Sequence, residues 1–385
     1  MNSKQCETWL ASGVVIPAPE SVEIGPEVPL SAVAPGAVLH AGTKLFGEKT
    51  SIGPGCELGR EAPVTIEDCQ LGAKVKLKGG YFAKSVFLDG AAMGSGAQVR
   101  EGCLLEEGAE MAHTAGLKQT ILFPYAVGGS LINFCDALLS GGTSRKRHSE
   151  IGSSFIHFNY TPRGDKATAS LFGDVPRGVM LRSDPIFLGG QGGVVGPVRV
   201  EYGTVLAAGN VLRSDVEIPG QLVVPPPAKP VSVAFPKEYL SVRRKLRNCA
   251  VYIGNLAALE AWYRAVRAPV LGGTAWGRAC YDGALRVLAI VRKERLKRLD
   301  AVFEAVSAQS DRGGALEESL AKWQAIRPGL EGDGGDAGAA DRDAFLAAWA
   351  KTEGAYLERI AALDAAAVAA GTAWLQAVVD RVSGF

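Results

Sequence analysis

An apolar residue recurs at every sixth position through long stretches of this chain. The clearest run is Phe87, Met93, Val99, Leu105, Met111 and Leu117, and it returns later as Leu188, Val194, Val200, Leu206 and Leu212. Glycine stands three residues before several of these positions, in GAQV (96–99), GCLL (102–105) and GAEM (108–111), and at Gly203 and Gly209. A period of six is neither the 3.6 of a helix nor the 2 of a pleated strand. It is the step of a parallel β-helix, in which three short flat strands make one triangular coil. The periodic residue fills the inside of its strand, and glycine turns the corner. Shorter blocks carry the pattern toward the N-terminus: Val33, Leu39 and Leu45, then Gly55 before Leu58 and Gly72 before Val75.

The rest of the chain is divided by changes in this pattern. Residues 1–20 read as an N-terminal arm or short helix with Trp9 and Leu10, and residues 21–218 as the β-helix. Residues 219–236 form a stiff connector containing Pro225, Pro226 and Pro227, because proline cannot continue a sheet interior. From Lys237 to residue 385 helical stripes replace the six-step, which predicts an antiparallel α-helical bundle. One helix carries Val242 to Val266 and stops before Pro269; a second spans roughly 278–308, and a short third 315–326. A long fourth runs from about Asp341 through Phe345, Trp349, Tyr356, Ile360, Trp374 and Val382. The second helix has a basic face (Arg292, Lys293, Arg295, Lys297, Arg298) that reads as a solvated surface.

With 385 residues the chain has core enough to need no staple, and seven singly placed cysteines show no CxxC pair and no zinc spacing. Reduced, buried thiols and no metal site are expected. The 41 basic and 40 acidic residues leave a net charge of +1, which argues against nucleic acid or an anionic membrane as a general partner. No run is apolar enough for a signal peptide or a membrane span, so a cytoplasmic protein is expected.

The polar residues that look placed for chemistry lie between Glu150 and Val216. The segments EIG (150–152), FNYTPRGDK (158–166), RSD (182–184), GPV (196–198) and LAAGNVLRSDV (206–216) follow one another there. This series resembles the hexapeptide-repeat acyltransferases, specifically the C-terminal acetyltransferase domain of the bifunctional bacterial enzyme that acetylates glucosamine 1-phosphate and then couples it to uridine. The resemblance covers about 100–220. It implies a left-handed parallel β-helix, a homotrimer with sites between neighbouring coils, acetyl-CoA or another acyl-CoA as donor, and a sugar phosphate or nucleotide sugar as acceptor. Asn159 and Tyr160 match the family's substrate-binding pair. Lys166 and Lys118 resemble its phosphate-binding lysines, whose charge suits a dianionic ligand. Ser183 and Ala208 match positions that line the pantetheine channel.

One departure matters. The family's general-base histidine and the tyrosine after it correspond to Ser130 and Asn133 in GGSLINFCDA (128–137). An unassisted serine is no base near neutral pH, so the amine-activating group must lie elsewhere or be absent. His157, two residues before Asn159, is the candidate substitute because imidazole titrates in the right range; the alternative is an outward residue on a coil face. His113 and His148 read as structural or exposed. The basic insertion Arg145, Lys146, Arg147 could reach a phosphate across a groove or simply be solvated, and the GGQGG run (189–193) lacks the lysine and helix of a phosphate loop. The sequence therefore predicts an acyltransferase-like protein of sugar-phosphate or nucleotide-sugar metabolism, or a non-catalytic trimeric scaffold or binding module that has lost its base. In either case the helical bundle could meet a protein partner.

Overall fold

The computed structural model describes residues 3–226, 230–235, 238–310 and 312–385. Pro227 of the connector and Lys237, the expected first residue of the bundle, lie outside these. From Glu23 to Val223 the chain winds as a parallel coil with three flat faces. The first face is a ladder of ten strands, from Val38–Leu39 to Leu222–Val223. The ladder thus runs past residue 218, because Leu222–Val223 still pairs with Val205–Leu206. The second face carries Lys44–Phe46, Val64–Glu67, Ala97–Val99, Ile156–Phe158 and Val211–Leu212; the third carries Gln70–Leu71, Val86–Phe87, Leu104–Leu105 and Arg199–Val200. Gly116–Leu122 and Asn133–Leu139 each bend from the second face onto the third. The six-step residues point inward and are buried, from Phe87 to Leu117 and from Leu188 to Leu212. Their glycines turn corners with positive φ, 74° at Gly96 and 84° at Gly102.

Around this coil lie α1 (Ser3–Ala11), which closes the first turn with Trp9 and Cys6, and α2 (Val175–Gly178), a short outward turn capped by Asp174. The helical part comprises α3 (Arg243–Trp262), α4 (Ala268–Leu271), α5 (Ala275–Ser307), α6 (Gly314–Ile326), α7 (Ala339–Trp349), α8 (Tyr356–Ala362) and α9 (Ala365–Ser383). Two expectations are corrected here. The first helix does not end before Pro269: a wide turn over Tyr263–Arg267 shifts the hydrogen-bond ladder, and Pro269 enters α4 at a position that needs no N–H. The long fourth helix is three, broken at Gly354 (φ 100°) and at Asp364, which caps α9 through Ala367 N–H at 2.8 Å. All three bury their apolar stripes in one core, so the stripe read continuously.

The bundle does not sit at an end of the coil but lies along the third face. Through its middle coils the outward residues of that face are apolar: Val86, Leu104, Ile121, Leu138 and Leu171 stack in register, and all are buried against the helices. α5 runs along the coil axis. Gly283 meets Gln70 and Val86, Val291 meets Gly102, and Arg295 meets Gln119 and Asp136. Those twelve residues rise about 18 Å at about 1.5 Å each, close to four coil steps of about 4.8 Å. Arg295, assigned from sequence to a solvated face, is 3% exposed and pairs with Asp136 at 2.7 Å. A second buried arginine, Arg267, pairs with Glu107 and lies 3.7 Å over the Tyr356 ring, while Tyr263 donates to Glu106 at 2.7 Å. Burial raises the Glu106 carboxyl well above the usual range.

A Cβ at Gly283 would fall 2.2 Å from Gln70 Oε1 and 2.8 Å from Val86 Cγ2, and Gln70 is itself held by Lys49 C=O at 2.7 Å. Helix propensity alone favours alanine by up to about 1 kcal/mol. Overpacking of about 1–3 kcal/mol opposes it. Gly283→Ala is therefore expected to lower the unfolding temperature, and a raised one would mean that α5 does not rest on this face as tightly as described.

Candidate functional site

The predicted site residues divide among three places on the coil. Lys118 and Asn133 project from the second face, where Lys118 lies beside Cys135 in the next coil. Lys118 Nζ is 3.3 Å from Glu101, an exposed pair that a more highly charged ligand could displace at little cost. Arg100 follows Val99, which pairs with Leu117, so it lies directly below Lys118. Its guanidinium rests 4.6 Å from the centre of the Tyr81 ring. Sequence reading missed Arg100, although the six-step marks it as outward in the same row as Lys118. Cys135 Sγ is 3.2 Å from Asn133 Oδ1, and burial pushes its thiol up to about 11, so it is no nucleophile near neutral pH.

Asn159, Tyr160 and Lys166 lie at or beyond the edge where the second face meets the third. Asn159 Nδ2 donates to Asp136 Oδ2 at 2.7 Å, and Asp136 Oδ1 accepts from Arg295 at 2.7 Å. Asp136 can face the helix because it occupies a corner with φ 57°, directly above Gln119 with φ 49°. The loop after Asn159 is held from the other side as well. Asp165 accepts from Lys245 Nζ at 2.5 Å and from Tyr239 OH at 3.0 Å, and Arg163 donates to Glu238 C=O at 3.0 Å. Tyr160 is 63% exposed, with Lys166 Nζ 5.7 Å from its ring centre.

Ser130 and Ala208 occupy the opposite edge of the second face, where it meets the first. One corner column there carries His113, Ser130, Ser153, Gly190 and Ala208: Leu131 N–H bonds His113 C=O, Ser154 N–H bonds Ser130 C=O, Gln191 N–H bonds Ser153 C=O and Gly209 N–H bonds Gly190 C=O. Ser130 N–H donates to Ser153 Oγ at 3.2 Å, and among the described residues no base touches its hydroxyl. His113 is exposed one coil below Ser130, its Nδ1 3.2 Å from Thr114 Oγ1.

Two sequence assignments are corrected by position. Ser183 is not beside Ala208: RSD follows the third face and precedes the first, whereas LAAG follows the first, so they lie on different edges. The residue stacked under Ala208 is Gly190, from the glycine run. That run serves close packing of corners, since a Cβ at Gly189 would fall 2.4 Å from Ala208 N and one at Gly152 2.3 Å from Gly190 N. His157 is neither a base facing the groove nor an outward residue. It alternates inward between Ile156 and Phe158, is 1% exposed, and shares a 2.7 Å hydrogen bond with Ser170 Oγ. Burial pushes its imidazole down to about 4 despite nearby Asp136. No acceptor amine on the outside of the coil can reach it.

The basic insertion forms a two-stranded hairpin, Gly142–Ser144 with Arg147–His148. Arg145 bonds Gly108 C=O at 2.8 Å and Glu110 at 3.1 Å, and Arg147 pairs with Asp184, so most of its charge is met locally. Among the described residues no cluster of three metal-ligating side chains occurs, and no single helix is long and apolar enough to cross a membrane.

Comparison with known proteins bears on this arrangement. No family profile matches the chain. It is similar to the "Bifunctional protein GlmU" of Thermotoga petrophila, 27% identical over 223 residues, covering 56% of this chain and 43% of that protein. The protein of the same name from Thermus thermophilus is 30% identical over 193 residues, 50% of this chain and 37% of that one. That of Pelobacter propionicus is 27% identical over 208 residues, 54% and 40% respectively. The matches thus span less than half of each relative. The GlmU proteins are homologues of about half of this chain, and its parallel coil is that of a hexapeptide-repeat β-helix.

The buried imidazole makes one prediction. Between pH 6.5 and about 4 the unfolded chain binds a proton at His157 that the folded coil does not, so its contribution is full above pH 6.5 and falls with pH through this window. The loss is about 3 kcal/mol at about 1.36 kcal/mol per pH unit. In urea unfolding series at pH 7 and 4, His157→Gln is expected to lose less stability than the wild type. Equal losses would show that the imidazole is not held neutral.

Proposed function

We propose that the chain is an acyltransferase-like protein whose second face binds a phosphorylated or nucleotide-linked sugar. The reading rests on homology to the GlmU proteins and on one observation: Asn159 is fixed at 2.7 Å by the buried Asp136, at the edge of the face that carries Lys118 and Arg100. A polar group held in place beside unburied positive charge suits a ligand with hydroxyls and a phosphate. Arg100, Lys118 and Lys166 would take the phosphate, Asn133 and Tyr160 would flank the sugar, and a coenzyme A thioester would follow the corner column at Gly190 and Ala208. Assembly as a homotrimer, with a neighbouring coil closing the groove, belongs to the same proposal.

Binding without rapid chemistry is the reading best supported, because Ser130 has no partner among the described residues that could make it a base and His157 is enclosed. Acyl transfer is the second reading. It is favoured by His113, the exposed imidazole one coil below Ser130, which could take the proton of an acceptor amine attacking the thioester. A positioned base is worth about 10²–10⁴-fold in rate.

Calorimetry with UDP-N-acetylglucosamine, glucosamine 1-phosphate and acetyl-CoA tests the groove. At least one sugar ligand is expected to bind below millimolar, and Lys118→Ala to weaken it about tenfold or more, as for a charge-assisted bond worth 1.5–3 kcal/mol. No binding by any of the three would end the proposal. A thiol-release assay then separates the two readings: turnover that falls at least a hundredfold in His113→Asn supports transfer, and no turnover above background supports binding alone.

A further inference from the structure

Asn159, Asp136 and Arg295 form a chain of contacts from the groove into the bundle. Asn159 is half-buried at the edge of the second face, Asp136 is 5% exposed, and Arg295 is 3% exposed on α5. Both carboxylate oxygens of Asp136 are used, Oδ2 by Asn159 and Oδ1 by Arg295. A single nitrogen of Arg295, Nη2, serves both Asp136 and Gln119, while its Nε and Nη1 have no hydrogen-bond partner among the described residues. An arginine that leaves two buried donors unmet is poorly explained by stability, since apolar side chains in place of both Arg295 and Asp136 could fill the two sites at no greater cost. What arginine does here is hold the carboxylate that holds Asn159. The same loop is clasped again by Lys245 and Tyr239 on Asp165, so bundle residues fix the Asn159–Lys166 segment at two points.

We propose that Arg295 is a positioning residue of the groove: acting through Asp136, it fixes Asn159 for the sugar ligand, which makes the helical bundle part of the binding site. The ligand rests on the reading above; the positioning rests on the contacts alone. The molecule also contains a matched control. Arg267 is buried, pairs with Glu107, and likewise leaves Nε and Nη1 unmet, but it touches the corner between the third and first faces, away from Asn159.

The test compares wild type, Arg295→Met, Arg267→Met and Asp136→Asn by amide hydrogen exchange over residues 155–169 without ligand, and by the Kd for UDP-N-acetylglucosamine. Both arginine variants are expected to lower the unfolding temperature. Arg295→Met alone is expected to raise exchange across 155–169 about tenfold or more and to weaken binding about tenfold, with no further loss when combined with Asn159→Ala. Arg267→Met leaves both readouts within twofold of wild type. Asp136→Asn, which keeps the size of the side chain and removes the joining carboxylate, gives the same loosening if Arg295→Met does not fold. Arg295→Lys, whose single nitrogen can make the same two bonds, is expected to restore binding to within about threefold. Unchanged exchange and Kd in both Arg295→Met and Asp136→Asn, or equal loosening in Arg267→Met, overturns the inference. A wild type that binds neither UDP-N-acetylglucosamine nor glucosamine 1-phosphate nor acetyl-CoA removes the groove reading and the ligand role with it, while the exchange comparison still decides whether Arg295 fixes the loop; a wild type that binds while these variants match it sinks this inference alone.

Discussion

A parallel coil satisfies its own backbone within each ladder and its own interior with one residue per strand, and its three outer faces are left free to differ. In this protein the outer row of the third face is aliphatic over at least five coils, Val86, Leu104, Ile121, Leu138 and Leu171. Such a stripe cannot stay in water at about 25 cal/mol per Å². Everything else in the architecture depends on covering it. The helices supply the cover, and their core is therefore continuous with the outside of the coil and not a separate unit. The bundle's place along the axis follows from this stripe, as does the need for glycine at Gly283, where α5 rests on Gln70 and Val86.

The cover ends where the charges begin. At the corner between the second and third faces the chain turns through Gln119 and Asp136, whose left-handed backbone turns their side chains toward α5. Arg295 meets them there, just beyond the apolar stripe. A buried ion pair of this kind adds little net stability but is costly to break, about 3–5 kcal/mol when one partner is lost. It therefore sets the register of the helix on the coil more than the strength of the contact. Since Asp136 has a second oxygen, that register is passed on to Asn159.

How much of this was legible in the sequence depends on which direction a residue faces. The six-step named the inward residues almost without error, because a coil interior tolerates little but aliphatic side chains and the period is strict. The covered face was equally present, as doublets in which an outward aliphatic precedes the inward one: VF at 86–87, LL at 104–105, IL at 121–122, LL at 138–139. Attention to the inward position alone passes over them, and with them the face that the bundle covers. His157 was misjudged because a motif places residues in order but not in phase. Strand alternation from Ile156 puts it inside, where Ser170, on the adjoining third-face strand, supplies the hydrogen bond that a buried imidazole needs. Ser183 was misjudged for a related reason. The tripeptides RSD and GGQ stand a few residues apart, and only the pairing of Phe187–Leu188 with Val205–Leu206 shows which of them stacks under Ala208.

With the third face sealed, any association between coils must use the first or the second. Both carry apolar residues in their later coils that the chain itself does not cover: Phe187 and Val205 on the first, Ile156 and Phe158 on the second, with Leu131 at the corner between them. In the earlier coils the second face is charged instead, through Arg100, Glu101 and Lys118. A neighbour packed on the later coils would hold its own surface near that charged row without burying it. The corner column of His113, Ser130 and Ala208 would then form one wall of the intervening cleft and the row of Lys118 another. The division of labour is thus set by burial. One face is spent on the bundle that steadies Asn159, and the remaining two retain the exposed charge and exposed apolar surface from which a ligand groove between copies can be made.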